Sequence, residues 1–220
     1  MLRRSLLVYG VLASLLYVGI DVIAAIRYSD YHSFSSQMIS ELMANGAPTE
    51  RLVDPLFLLY DVLMMAFAVG VWMSSPERRV HVTGGLLFAV GAIGLLGPVF
   101  FEMDPRGTGM SAATVRHIAL TSVLGLFILA AVAVGASIRG RRFRRYSLAT
   151  LAVLVGFGVL SAYAGRGADT GEPTPWIGIA ERIDIGAFLL WVAVLAVSLL
   201  RAPRATDLGD LPPMAALHRP

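Results

Sequence analysis

The residues from Tyr146 to Gly165, "YSLATLAVLVGFGVLSAYAG", carry no charge over twenty positions. Val82 to Phe101 carries none either, and Pro55 to Ser75 carries only Asp61. A run of this length crosses the ~30 Å hydrocarbon core of a bilayer as a helix. In lipid every backbone N–H and C=O has to be paired within the protein, which leaves helices and closed barrels. A membrane barrel needs short alternating strands, and the chain has no such pattern. The expected fold is therefore all-α, a polytopic integral membrane bundle. Hydrophobic residues make up 56% of the chain and charged residues 15%, a balance that soluble domains of 220 residues rarely show.

Six transmembrane helices are predicted, at about Leu6–Ile26, Pro55–Ser74, Val80–Phe101, Ala112–Ile138, Tyr146–Ala164 and Pro175–Leu200. Asp54-Pro55 and Thr174-Pro175 read as N-caps followed by proline in the first turn, and Ser111 as the cap of the fourth span. Ser75-Pro76 ends the second span, and Pro98 is placed to kink the third just before "FFEMDP". The apolar run in "MLRRSLLVYGVLASLLYVG" is long for a signal peptide and lacks a small-residue cleavage site, so it is taken as the first span. Residues 1–200 form the membrane domain. The proline-rich end, "RAPRATDLGDLPPMAALHRP", is expected to be a flexible cytoplasmic tail, 201–220.

All 18 basic residues are arginine, and their positions set an orientation. Arg3, Arg4, Arg78, Arg79, the "RGRRFRR" loop from Arg139 to Arg145, Arg201 and Arg204 fall on one side. The other side is poorer in arginine. The rich side is assigned to the cytoplasm, with both termini there and the chain in the cell membrane. This arrangement explains the basic pI without a nucleic-acid partner. The absence of cysteine excludes disulfides, thiolate chemistry and Cys-ligated metals.

Acids concentrate on the opposite, outer side. Of the 15, only Glu77, Asp207 and Asp210 fall inside. "FFEMDPRGTGMSAATVRH", from Phe100 to His117, gathers Glu102, Asp104, Arg106, Arg116 and one of four histidines between two apolar runs. His117 lies roughly 8 Å along the fourth span. Asp61 is expected at a similar depth, and Asp21 near the outer end of the first span. Glu181 and Asp184, three apart, share a face of the sixth span, and Arg182 points ~100° away from Glu181. Charges in the membrane are costly unless paired or wetted, so one shared polar cavity is the economical arrangement. The duller reading is a set of ion pairs and caps that hold helices together. "SSQMISELMANG" in the first outer loop reads as a short amphipathic helix, either lying over the cavity or simply on the surface.

Two chemistries fit these residues. Asp104 and His117, with Glu181 or Asp61, form a mixed His-carboxylate set suited to a divalent metal, although the spacing matches no strong metal motif. Alternatively His117 and a carboxylate act as a general base on a lipid head group, with an arginine holding phosphate. Candidate catalytic positions are His117, Asp104 and Glu181. Candidate ligand-binding positions are Arg182, Arg116, Asp61, Glu102, Ser40 and Glu41. No GxSxG elbow supports a serine hydrolase. Charge skewed to one side argues against a through-path for transport, and the histidines are not placed in facing pairs for haem. The expected ligand is a membrane lipid or small amphiphile. The competing class is a non-catalytic structural or partner-binding protein.

The segments "SQMISELMANGAP", "FFEMDP", "VRHIAL" and "GIAERIDIGAFLLWV" resemble the bacterial and archaeal membrane family catalogued as domain of unknown function 998. The resemblance runs from about the first span to Leu200 and matches at Ser40, Asp104, His117, Glu181 and Arg182. It implies a six-helix integral membrane protein and brings no reaction with it.

Overall fold

A computed structural model describes residues 1–31 and 33–202. The expected tail lies outside the described residues beyond Ala202, as does His32. Among the described residues the chain is all helical. Its helices are α1 (Leu2–Arg27), α2 (Glu50–Trp72), α3 (Arg78–Gly94), the single turn α4 (Gly97–Phe100), α5 (Ala112–Gly135), α6 (Arg141–Ala164) and α7 (Ile177–Leu200). Six of the segments, with α3 and α4 counted together, are long and apolar enough to cross a membrane.

The six spans close into a ring. α2 packs between α1 and α3, α3 meets α5, α5 meets α6, α6 meets α7, and α7 returns to α1. Close approach within the ring depends on small residues. A Cβ on Gly91 of α3 would lie 2.8 Å from the backbone carbonyl oxygen of Asp61 on α2, so the two backbones touch. The end that bears the 139–145 loop is termed inner. Its core is apolar and tight: Leu7, Phe67, Val71, Leu87, Val132, Trp191 and Leu195 are fully buried. The Trp191 indole N–H donates to Ser147 Oγ at 2.9 Å, which satisfies both groups.

Packing loosens toward the outer end of α5 and α6. Apart from Thr114, the buried residues of α5 are Ala131, Val132 and Gly135, all in its inner half. Those of α6 are Phe143, Ser147, Thr150 and Leu154, none further out than just past its midpoint. The outer halves of these two helices, Arg116 and His117 aside, are largely apolar and little covered by protein.

Prolines act differently from the expectation at two places, and as expected at a third. α2 starts at Glu50, with Thr49 as its N-cap, so Pro55 lies inside the helix and Asp54 is not the cap. α7 starts at Ile177, after Thr174-Pro175, and Thr174 Oγ1 instead donates to the Ser36 carbonyl. The break in the third span falls at Leu95–Leu96, ahead of Pro98. Proline lacks an N–H and its ring clashes with the carbonyl four residues back, which here is Gly94, the last residue of α3. Ser111 caps α5 as expected, accepting from the Thr114 N–H at 3.1 Å. The amphipathic helix expected in the first outer loop is one 3-10 turn, Ser40–Met43, with Ile39 and Leu42 turned into the protein.

Candidate functional site

The three outer connections are sewn together into a cap. Arg106 leaves the second connection and forms a two-pronged pair with Glu41 of the first, Nη2 to Oε1 at 2.6 Å and Nε to Oε2 at 3.2 Å. Its remaining donors reach the Ser36 carbonyl, Thr174 Oγ1 and the Glu172 carbonyl. Arg182, at the outer end of α7, makes the same kind of pair with Asp21 of α1, at 2.6 and 2.9 Å. It also donates to Tyr31 Oη and to the carbonyls of Phe34, Gln37 and Gly178, and its guanidinium lies over the Phe34 ring at 4.7 Å. A planar guanidinium with five fixed donors suits this task, which one ammonium group would not fulfil.

The residues proposed from sequence have separate partners. Asp104 Oδ1 accepts from the Asn45 amide at 2.7 Å, across to the first connection. Hydrogen bonds from Ser111 and Asn45 hold its carboxyl below the usual carboxylate range. Glu181 Oε2 accepts from the Ile39 N–H at 2.7 Å, which ties α7 to the cap. His117 Nδ1 lies 2.7 Å from the Phe101 carbonyl oxygen, rather than against Glu102 or Asp104. His117, Asp104 and Glu181 share no hydrogen bond or ion pair among the described residues. Glu41 is buried in the cap, Ser40 is half-buried beside it, and Arg116 is exposed. Asp61 presses its carboxylate against Gly94, where any side chain would collide with it. Gly94 is six residues from Phe100, the outer end of the third span, so Asp61 lies roughly 9 Å below that end.

Glu102 meets Glu50 and Asp54 instead, with one carboxylate oxygen from each within 4.8 Å of the others. Among the described residues this is the one group of three His, Asp or Glu side chains with metal-ligand spacing. All three are partly exposed, and acids cluster this way at surfaces without an ion. Partial burial and the neighbouring Glu50 charge push the Glu102 carboxyl above its ordinary range.

What remains free in the outer half of the ring is mostly hydrogen-bond acceptors. A carbonyl can only accept, so His117 Nδ1 carries a proton toward Phe101, and Nε2 is an acceptor whenever the ring is neutral. Asp184 Oδ1 on α7 and Ser161 Oγ on α6 are buried without a hydrogen-bond partner. A Cβ on Gly158, one turn inward of Ser161, would lie 3.9 Å from Asp184 Oδ2, so the acid faces α6 there. Tyr17 and Glu181 are both half-buried.

Sequence reasoning missed Arg106–Glu41 and Arg182–Asp21 as pairs, because 65 and 161 residues separate the partners. The available signal was that both arginines fall at the acid-rich end.

The family model described as "Protein of unknown function (DUF998)" matches residues 11–198. No curated protein and no solved structure matches the chain.

Proposed function

Because the chain belongs to the DUF998 family, whose description assigns no activity, its role has to be argued from its own residues, and we propose that it binds a lipid or small amphiphile in the outer half of the ring. The capped end then faces outward from the cell membrane, and both termini are cytoplasmic.

The observation that carries this reading is that two of the four buried, unpartnered side-chain atoms among the described residues, Asp184 Oδ1 and Ser161 Oγ, lie on neighbouring helices, of which α6 has no buried residue beyond Leu154. A buried polar group without a partner costs ~1–3 kcal/mol, and a bound head group relieves that cost. The free groups also define the ligand. Arg106 and Arg182 are occupied within the cap, so phosphate finds no spare donor on them. Asp184 and the second oxygen of Glu181, three residues apart on α7, can accept, which favours a head group that brings O–H or N–H donors. The tail has a place on the same stretch of α6, where Ala152, Val153, Gly156, Phe157 and Leu160 line a shallow groove of about 290 Å³. The His117 tautomer favours one second reading, general-base chemistry on the bound head group.

The test is lipid extraction from the purified protein, with mass spectrometry of what is released. One amphiphile class should be enriched over the host membrane, and lost in Asp184→Leu and Ser161→Val. Both substitutions suit the apolar surroundings, so the fold should survive them. Released lipid in the proportions of the host membrane, unchanged by either substitution, would defeat the proposal.

A further inference from the structure

A second groove, of about 380 Å³, opens between α1 and α7 near the inner end. Val11 forms one wall, and Ala193, Val194 and Val197 form the other. Ser198 and Arg201 close it at the inner boundary. From Ala193 to Arg201 the wall runs ~12 Å along the helix axis. Arg139 Nη2 donates to the Ser198 carbonyl at 2.8 Å, which brings a second guanidinium to the same end. Both ion pairs among the described residues lie in the outer half of the molecule, so neither arginine has an acid partner there.

An apolar furrow on the lipid-facing surface, ending in arginine at head-group depth, matches one kind of molecule on both counts. The walls suit an acyl chain, and the charge suits a phosphate at the membrane surface. Zwitterionic lipids also carry phosphate, but their cationic group repels a guanidinium, so the charge selects a net anion. We propose that this groove holds an anionic phospholipid of the inner leaflet, with an acyl chain along Val11, Val194 and Val197 and the phosphate on Arg201. The site is independent of the outer one: it lies at the other end of the ring, in the other leaflet, and its polar group has the opposite charge.

The full-length chain in a neutral detergent is titrated with phosphatidylglycerol, phosphatidylcholine or glycerol 3-phosphate, and adducts are counted by native mass spectrometry. Phosphatidylglycerol should bind saturably and roughly tenfold more tightly than phosphatidylcholine, an effect the size of one charge-assisted contact. Arg201→Gln should remove that preference, and Val194→Trp should block the groove to both lipids. Arg144→Gln, at another exposed arginine of the same end, should change nothing. Because Arg201 is exposed at a helix end, its substitution leaves a folded protein to measure even if the tryptophan variant fails. Full retention of phosphatidylglycerol by Arg201→Gln would overturn the proposal. Equal losses in Arg201→Gln and Arg144→Gln would too, since they indicate a diffuse basic surface. Competition by glycerol 3-phosphate alone would replace the lipid with a free-anion site.

Discussion

At the scale of single residues, Arg182 carries the most. Its side chain is 18% exposed and that of its partner Asp21 11%, so water screens the pair little. Removing one member of a buried pair strands the other charge, at a cost of ~3–5 kcal/mol. Arg182→Ala should therefore lower the thermal unfolding midpoint in detergent sharply, and Arg182→Lys should recover only part, because an ammonium cannot reproduce the two-pronged contact. Adding Asp21→Asn to Arg182→Ala should restore some stability, since no uncompensated charge remains. An Arg182→Ala protein that melts with the wild type would make the pair ornamental. Tyr31 gives a second measurement on the same contact. Its phenol donates to the Gln37 carbonyl at 2.7 Å and accepts from Arg182. Burial pushes its pKa up to about 12, against the lowering pull of Arg182. A group whose folded pKa is raised contributes stability below its unfolded value, near 10, and loses it as pH rises toward 12. Protection of the amides in the 33–45 segment, taken relative to intrinsic exchange at each pH, should hold up to about pH 10 and fall above it, and Tyr31→Phe should abolish the step.

Elements meet through backbone as well as charge. Gly178 opens α7 beneath the cap, where its N–H donates to the Ser35 carbonyl at 2.9 Å. A Cβ there would collide with the carbonyl oxygens of Phe34 and Gln37, and backbone cannot swing aside as a side-chain tip can. Gly178→Ala should cost at least the ~1–3 kcal/mol typical of overpacking. The loss should appear first as rapid amide exchange at Ile39, whose N–H is held by Glu181, while the α2–α3 amides stay protected. Uniform loss across the bundle would mean that the cap and the ring are one cooperative unit. The helices themselves were legible in the sequence because hydropathy over twenty residues is a strong, local signal. Their outer ends were less so. Asp54-Pro55 and Thr174-Pro175 look like starts, but tertiary contacts decide: Thr49 Oγ1 bonds back to Leu42, Thr174 bonds Ser36, and each helix begins elsewhere. "SSQMISELMANG" has apolar spacing suited to a helix, yet Glu41 and Arg106 fold it into a single turn.

For the whole molecule, the arginine asymmetry and the acid-rich outer end were readable as a pattern, and the grouping of particular acids was not. Proximity along the chain groups Asp104 with His117. In the folded ring Asp104 finds Asn45, Glu102 finds Glu50 and Asp54, and His117 finds a backbone carbonyl. Long-range pairing of this kind depends on how six helices close, and no window of sequence contains it. The outer and inner ends also differ in a way that bears on what each can bind: capped acids at one, and at the other arginines without an acid partner among the described residues. Orientation decides which leaflet each end meets, and the lack of cysteine makes it simple to measure. Ser137 and Thr170 are both exposed, at the inner and outer ends respectively. In intact cells Thr170→Cys should react with a membrane-impermeant maleimide, and Ser137→Cys should react only after lysis. The reverse pattern would invert the chain, contradict the arginine rule, and place the capped acids in the cytoplasm. The acceptors of the outer half would then meet lipids of the inner leaflet, and the α1–α7 groove would have to find its anion in the outer one.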